Sequence, residues 1–204
     1  MRNLTVRFSL MSALALFSCM IVVGAGVGIF ALGRANQSTE YVHEITERFG
    51  GIDVVLHGAG VIEDKYIVDK TAESFDRVLG TKLDPMLTLT GLLDPARIKL
   101  VMLFSSVAGI FGNVGQADYA TANEVLNRIA RRLHSTWHGK VVSMNWGPWV
   151  GAGSMVTPEV AEQLASRQFG LVSVPVGRQA AWLEFLHAPD QDVRVVVGTG
   201  GWLE

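Results

Sequence analysis

The chain has 204 residues, of which 49% are hydrophobic, and its 17 Lys and Arg against 19 Asp and Glu give a formal net charge of −2. This length favours one medium-sized domain with a sizeable core. The mild acidity gives no reason to expect a nucleic-acid partner. Because Cys19 is the only cysteine, the sequence predicts neither a disulfide nor a thiolate metal site.

An uncharged run of 26 residues extends from Phe8 to Gly33. As a helix rising about 1.5 Å per residue it would be about 39 Å long, enough to cross a hydrocarbon core of about 30 Å. A cleaved signal peptide is the alternative, but its apolar stretch is normally about 7–15 residues long and ends at a small-residue cleavage site. The run therefore predicts an uncleaved membrane helix over about residues 8–33, with the membrane as a partner.

The same run contains the glycine-rich segment GAGVGIF, residues 24–30. A dinucleotide-binding loop needs a strand before it and a soluble amphipathic helix after it, and the sequence indicates neither. Gly24 and Gly28 fit better as a small-residue stripe for helix packing in lipid. Residues 1–42 resemble the N-terminal anchor of bacterial methyl-accepting chemotaxis receptors, in which a short basic leader precedes the first membrane helix.

From about Ile45 the pattern is that of an α/β domain. Short apolar runs predict buried strands within 50–60, 98–106, 139–149 and 192–200. Helical periodicity predicts helices over 71–93, with Thr71 as the N-cap, and over 116–134. Strands that alternate with helices predict a parallel sheet covered on both faces.

Four motifs follow one another in this region: HGAGVIEDKYI from His57, GTKLDP from Gly80, FSSVAGIFGNVGQADYATAN from Phe104 and NWGPW from Asn145. Together they resemble the C-terminal two-thirds of a polyketide synthase ketoreductase domain, within the short-chain dehydrogenase/reductase family, over about residues 45–204. The resemblance implies a partial Rossmann-like parallel sheet made of the C-terminal strands of that fold.

The resemblance also implies a catalytic set of Lys82, Ser106, Tyr119 and Asn123. Lys82 lies 24 residues before Ser106, and Tyr119 lies 13 residues after it. Tyr119 would protonate the substrate oxygen as general acid, and Ser106 would stabilise the developing oxyanion. The Lys82 ammonium would lower the pKa of the tyrosine, and Asn123 would orient a water or the lysine head.

NADPH is the implied cofactor, and a β-ketoacyl group on an acyl carrier protein is the implied substrate. Two turns of small residues would let the backbone approach the nicotinamide and its ribose; the predicted cofactor-binding residues are His57, Gly58, Ala59, Gly60, Gly147 and Pro148. Ile62–Asp64 resembles the Leu-Asp-Asp triplet of domains that form the D-hydroxyl product, and Phe111 stands where the opposite class has tryptophan. Pro85, where the family usually has glycine, predicts a helix kink beside Lys82.

The predicted organisation is a membrane anchor at residues 1–37, a junction at 38–48 and a truncated ketoreductase domain at 49–204. In the family, a glycine-rich loop and a helix N-terminus near the start of the domain hold the cofactor's pyrophosphate. The segment before His57 does not show these elements, so we expect impaired reduction and negligible NADPH binding by residues 45–204. The strand at 52–57 is expected to be an unpaired sheet edge through which the chain self-associates.

Three functions remain open from the sequence. The chain is an NADPH-dependent ketoreductase of polyketide or fatty acid biosynthesis, a catalytically inactive remnant of one, or a membrane-anchored receptor-like binding protein. The predicted location divides in the same way, because the N-terminal run indicates a single pass through a bacterial inner membrane, whereas the ketoreductase family is cytoplasmic.

Overall fold

The computed structural model describes residues 20–23, 26–29, 35–150, 169–186 and 192–198, together with residues 162, 164 and 166. The strands are β1 (Met20–Val23), β2 (Gly26–Ile29), β3 (Val54–His57), β4 (Leu100–Ser106), β5 (Lys140–Trp146), β6 (Trp149–Val150), β7 (Val172–Ser173) and β8 (Arg194–Val197). The helices are α1 (Ala35–Phe49), α2 (Ala72–Leu92), α3 (Ala108–Phe111), α4 (Ala117–Thr136) and α5 (Val174–Leu186), with a 3-10 turn at Ile67–Asp69.

The main sheet has six strands in the order β2-β1-β3-β4-β5-β8, and β6 and β7 pair separately. Strands β3, β4, β5 and β8 run parallel to one another. Their carboxyl ends therefore lie along one edge, where open α/β sheets bind their ligands. The predicted α/β class and parallel sheet are confirmed.

Strands β3, β4 and β5 are buried on both faces, which matches their runs of consecutive apolar residues. Val55, Val101 and Val141 face a core that includes apolar residues of α1, α2 and α4. Leu56 and Met102 face the opposite core, which contains residues of α5 and β7. The near-continuous apolar runs in the sequence thus reflect a sheet with helices on both sides.

Helix α2 agrees closely with its prediction. The Thr71 side chain accepts a hydrogen bond from the Ser74 backbone N at 3.2 Å, which caps the helix N-terminus. The helix continues through Pro85 to Leu92, although Pro85 has no N–H to donate to the Thr81 carbonyl.

The N-terminal prediction fails in the described part of the chain. Residues 20–23 and 26–29 form an antiparallel hairpin in which Met20 pairs with Ile29 and Val23 with Gly26. A continuous membrane helix over 8–33 is therefore wrong for these residues, and the rest of that run lies outside the described residues. Periodicity cannot distinguish a helix from a strand in an uninterrupted apolar run, and the β-branched segment at residues 21–23 favours a strand. Within the described part, no helix is long and apolar enough to cross a bilayer.

The prediction of an unpaired edge at 52–57 is also wrong. Strand β3 pairs with β4 on one side and with β1 on the other, where Met20 lies opposite Leu56 and Val22 opposite Val54. Because both sides of β3 are hydrogen-bonded, β3 offers no unpaired edge for the predicted self-association. The predicted junction, residues 38–48, lies within helix α1; the domain boundaries themselves stay a prediction.

Candidate active site

The predicted site residues gather at the carboxyl edge of the parallel strands. His57 ends β3, Ser106 ends β4, and Gly147 follows β5, while Lys82 and Tyr119 come from helices α2 and α4. Parallel strands bring their carboxyl ends together, so residues far apart in the chain meet at this edge.

Lys82 reaches this edge from inside the protein. Its side chain is buried, with the residue only 4% exposed, and its Nζ donates to the carbonyl oxygens of Phe104 at 2.9 Å and Ala59 at 3.2 Å. Burial lowers the pKa of Lys82 to about 8 because the charged form loses its hydration. The ammonium is thus held by backbone dipoles at the ends of β3 and β4.

Tyr119 lies in the first turn of α4, partly exposed, with its ring centroid 5.9 Å from Lys82 Nζ. Burial raises the pKa of its phenol, while interactions with the Ser106 and Asn123 side chains act in the opposite direction. This net direction contradicts the expected lowering by Lys82, because desolvation of the phenolate outweighs the favourable contacts.

Ser106 is fixed by the start of the next helix. Its Oγ accepts a hydrogen bond from the Ala108 backbone N at 3.2 Å. Since a hydroxyl has one proton and two lone pairs, the Ser106 O–H can still donate, either to the Tyr119 phenol oxygen or to an oxygen bound beside it. This geometry suits a group that must donate to a carbonyl oxygen at the carboxyl end of β4.

Asn123 is fully buried one turn after Tyr119. Its Nδ2 donates to the Tyr119 carbonyl at 2.7 Å, and its own carbonyl accepts from Ser105 Oγ at 3.0 Å. A Cβ on Gly109 would lie 2.8 Å from Asn123 Cβ, so α3 and α4 approach closely only because that residue is glycine. The Asn123 Oδ1 atom is buried and has no hydrogen-bond partner, which leaves one acceptor available in the site.

The His57 side chain lies inside the protein. It is fully buried, and its Nε2 donates to the Lys82 carbonyl at 2.8 Å, so the side chain ties β3 to α2. Burial, followed by the Lys82 charge, lowers the pKa of His57 to about 4, which keeps the imidazole neutral near pH 7.

The other predicted cofactor-binding residues do lie at the carboxyl edge. Residues 58–60 follow β3 and are partly exposed. The Gly147 N donates to the Val197 carbonyl at 2.8 Å, and the Pro148 carbonyl accepts from Val172 N at 2.8 Å, so this turn is held between two strands. A Cβ on Gly60 would come within 3.2 Å of Lys82 Cε, and one on Gly147 within 3.3 Å of the Val197 carbonyl oxygen. Because a side chain would be crowded at Gly60 and at Gly147, both turns require glycine at these positions.

Two polar contacts beside the site are absent from the sequence-based predictions. Gln116 Nε2 donates to both carboxylate oxygens of Asp64, at 3.0 and 2.9 Å, and joins the loop after β3 to the start of α4. Lys70 and Asp118 form a buried ion pair with Nζ and Oδ2 2.5 Å apart. The partners of each pair are about 50 positions apart, so no local pattern could have revealed them.

Comparison with known proteins identifies this arrangement. A family model described as the KR domain matches residues 19–151. Because this match begins before β1, it covers part of the segment that resembles a chemotaxis-receptor anchor, and that resemblance is not supported.

Similar proteins are large synthases and ketoreductases. A polyunsaturated fatty acid synthase of a Thraustochytrium species is 40% identical over 154 residues, 74% of this chain and 5% of that protein. Polyketide synthase PksN of Bacillus subtilis is 32% identical over 166 residues, 78% of this chain and 3% of that protein. The solved structure of the ketoreductase from the first module of phoslactomycin biosynthesis in Streptomyces sp. HK803 superposes with a TM-score of 0.78 at 30% identity, over 88% of this chain and 41% of that one. The chain thus spans only a small part of these synthases.

Proposed function

The chain belongs to the KR-domain family, the ketoreductase domains of polyketide and fatty acid synthases, and on this basis we propose that it reduces a β-ketoacyl group on an acyl carrier protein to the β-hydroxyacyl form with NADPH. The observation that carries the proposal is the convergence of Lys82, Ser106 and Tyr119 at the carboxyl ends of β3 and β4. Ketoreductases of this family use a nicotinamide nucleotide; NADPH and the carrier-bound substrate are the specific parts of the proposal.

Tyr119 serves as the proton donor in this proposal. Because the pKa of its phenol is raised, the group is protonated near neutral pH and can give its proton to the substrate oxygen. Ser106, with its Oγ already accepting from Ala108 N, donates a hydrogen bond to the same oxygen and keeps its own proton as negative charge develops there. A bound NADPH would supply the hydride to the carbonyl carbon, so the ketone becomes an alcohol.

Lys82 and Asn123 support the tyrosine. The Lys82 ammonium stabilises the phenolate that remains after proton transfer, and it is available only below the lysine's lowered pKa of about 8. Asn123, held between Tyr119 and Ser105, offers its unpartnered Oδ1 to a water that returns a proton to the site.

The nicotinamide end of a cofactor fits the residues that follow β3 and β5. Gly58, Ala59 and Gly60, with Gly147 and Pro148, would hold it through their backbone, because side chains at Gly60 and Gly147 would already be crowded by protein atoms. The His57 backbone belongs to the same proposed cofactor-binding turn, while its side chain holds the Lys82 carbonyl.

The phosphate end has less support in the described residues. In dinucleotide folds, a helix that follows the first parallel strand directs its N-terminus at the pyrophosphate. Here the strand beside β3 is β1, which runs antiparallel to it and pairs with β2 in a hairpin. We therefore expect weak binding of NADPH to the 204-residue chain.

The antiparallel β1 beside β3 also favours a second candidate function, a ketoreductase-like domain that does not catalyse reduction. Calorimetric titration with NADPH, combined with an assay at millimolar NADPH, separates the two. A catalytic domain reduces a β-ketoacyl thioester once NADPH exceeds its Kd, even where that Kd is as weak as about 1 mM, equivalent to about −4 kcal/mol. Absence of reduction at cofactor concentrations above the measured Kd would support the second candidate.

The proposed product has the D configuration, as the resemblance of Ile62–Asp64 to the Leu-Asp-Asp triplet implies. The Glu63 carboxylate accepts from Ser74 Oγ at 2.6 Å and from Arg77, so it is turned toward α2. Asp64 instead accepts from Gln116 beside the active-site helix. Chiral chromatography of the alcohol tests the assignment, and an L product would contradict it.

A further inference from the structure

One buried ion pair beside the site has no role in the proposed reaction. Lys70 precedes α2 and Asp118 lies in the first turn of α4, and their side chains are only 2% and 1% exposed. A buried ion pair is stabilised only where further hydrogen bonds satisfy both partners. We propose that the Lys70–Asp118 pair is a positioning device that holds Tyr119 in register with Lys82.

Each partner makes a second contact that supports this role. Asp118 Oδ1 accepts a hydrogen bond from the Tyr119 backbone N at 2.8 Å, so the carboxylate holds the tyrosine's own peptide group. Lys70 Nζ also donates to the Glu63 carbonyl oxygen. The pair therefore ties the backbone of the tyrosine to the loop between β3 and α2.

That loop is in turn fastened to the helix that carries Lys82. The Glu63 carboxylate accepts from Ser74 Oγ at 2.6 Å and from Arg77 Nη2 at 2.8 Å, and both residues belong to α2. A continuous set of polar contacts thus leads from Tyr119 through Asp118, Lys70 and Glu63 to α2. The loss of one ionic partner should let the first turn of α4 move relative to the Lys82 ammonium.

The two charges of the pair also balance one another beside the Tyr119 backbone, where Asp118 Oδ1 accepts from the tyrosine N. Two other titratable groups face Tyr119: the Lys82 ammonium of α2 lies 5.9 Å from its ring centroid, and the Asp64 charge of the loop raises the pKa of its phenol. Lys70→Met would leave the Asp118 carboxylate uncompensated, and a negative charge raises the pKa of a phenol. Asp118→Asn would leave the Lys70 ammonium uncompensated, and a positive charge lowers the pKa of a phenol.

The inference rests on the proposed function, so its test uses a readout that does not require turnover. The phenol of Tyr119 can be titrated in the full chain by carbon NMR with labelled tyrosine, and Tyr119→Phe identifies its signal. We expect the pKa of Tyr119 to rise in Lys70→Met, to fall in Asp118→Asn and to return close to the wild-type value in the double variant. Lys70→Arg, which keeps the charge, should restore most of the wild-type behaviour.

A second buried pair provides the matched control. Lys140 and Glu184 lie 2.8 Å apart with side chains 8% and 9% exposed, and they join β5 to α5. Lys140→Met should lower the melting temperature as Lys70→Met does, but it should leave the pKa of Tyr119 unchanged. This control separates a general loss of stability from an effect on the site.

Kinetics then show whether the pair positions a reacting group. If the chain reduces a β-ketoacyl thioester, each single variant should lower kcat at least about tenfold with little change in KM, the pattern of an interaction needed in the transition state. Unchanged tyrosine pKa values in both folded single variants would overturn the inference, whether or not the wild type is active. Opposite pKa shifts in a chain without reductase activity would instead refute the proposed function and retain the electrostatic role of the pair.

Discussion

Burial of Lys82 makes the stability of the protein depend on pH in a direction that can be worked out from its pKa. Lowering the pKa from 10.5 to about 8 means that the unfolded chain holds the lysine proton more tightly than the folded protein does. The ammonium therefore destabilises the fold by about 3 kcal/mol at pH 7, since one pKa unit corresponds to about 1.4 kcal/mol. As the pH rises from about 8 to about 10.5, this penalty disappears.

Comparison of the wild type with Lys82→Met isolates this effect. Between pH 7 and pH 9.5 we expect the wild type to gain about 2 kcal/mol in unfolding free energy relative to the methionine variant, which has no proton to lose. Urea unfolding at both pH values measures the difference. Lys65→Met is the control, because the Lys65 side chain is exposed and its removal should give no such trend.

A constant difference between the wild type and Lys82→Met across this pH range would refute the reasoning. It would mean that the carbonyl oxygens of Phe104 and Ala59 compensate fully for the lost hydration of the ammonium. The same titration predicts that reductase activity falls as the pH rises above about 8, because the ammonium is then lost.

Three further predictions concern the tyrosine and two glycines in or beside helices. Tyr119→Phe should lower turnover by about 10²–10⁴-fold in a steady-state assay, whereas the exposed Tyr66→Phe should not, and equal rates would exclude Tyr119 as the acid. Gly109→Ala should destabilise the protein by about 1–3 kcal/mol in urea unfolding, because its Cβ would lie 2.8 Å from Asn123 Cβ; wild-type stability would show that α3 can move. Gly91→Ala, whose Cβ meets no atom within 4 Å, should instead stabilise α2 by about 0.5–1 kcal/mol, and a loss of stability would contradict that.

Much of the fold could be predicted from the sequence from residue 50 onward. The strands are short apolar runs that end in small residues, and Thr71 marks the start of α2 with a side chain that caps it. Periodicity and capping are local properties, so the elements appear in the sequence without knowledge of their partners.

The N-terminal segment could not be predicted in the same way. A run without charges is compatible with a membrane helix, a buried strand or a buried helix, and tertiary pairing decides among them. Here residues 20–23 pair with β3, a contact more than 30 positions away that no local pattern encodes.

Some features of the candidate site could be predicted from the sequence, and others depend on contacts between distant residues. Lys82, Ser106, Tyr119 and Asn123 could be chosen by their resemblance to a family pattern, and their convergence follows from the parallel order of β3 and β4. The inward turn of His57, the raised pKa of Tyr119 and the Lys70–Asp118 pair depend on desolvation and on contacts between distant residues. These properties appear only when the side chains are placed in space.

The central claim is that this site delivers a hydride and a proton to a β-ketoacyl group, and product labelling tests it most directly. The full chain is incubated with a β-ketoacyl pantetheine thioester and millimolar NADPH deuterated at the transferred position, and the product is analysed by mass spectrometry. We predict a β-hydroxyacyl thioester with a single deuterium on the β-carbon, at a rate that falls about 10²–10⁴-fold in Tyr119→Phe. Recovery of the unreduced thioester, or an alcohol without deuterium at that carbon, would contradict the claim.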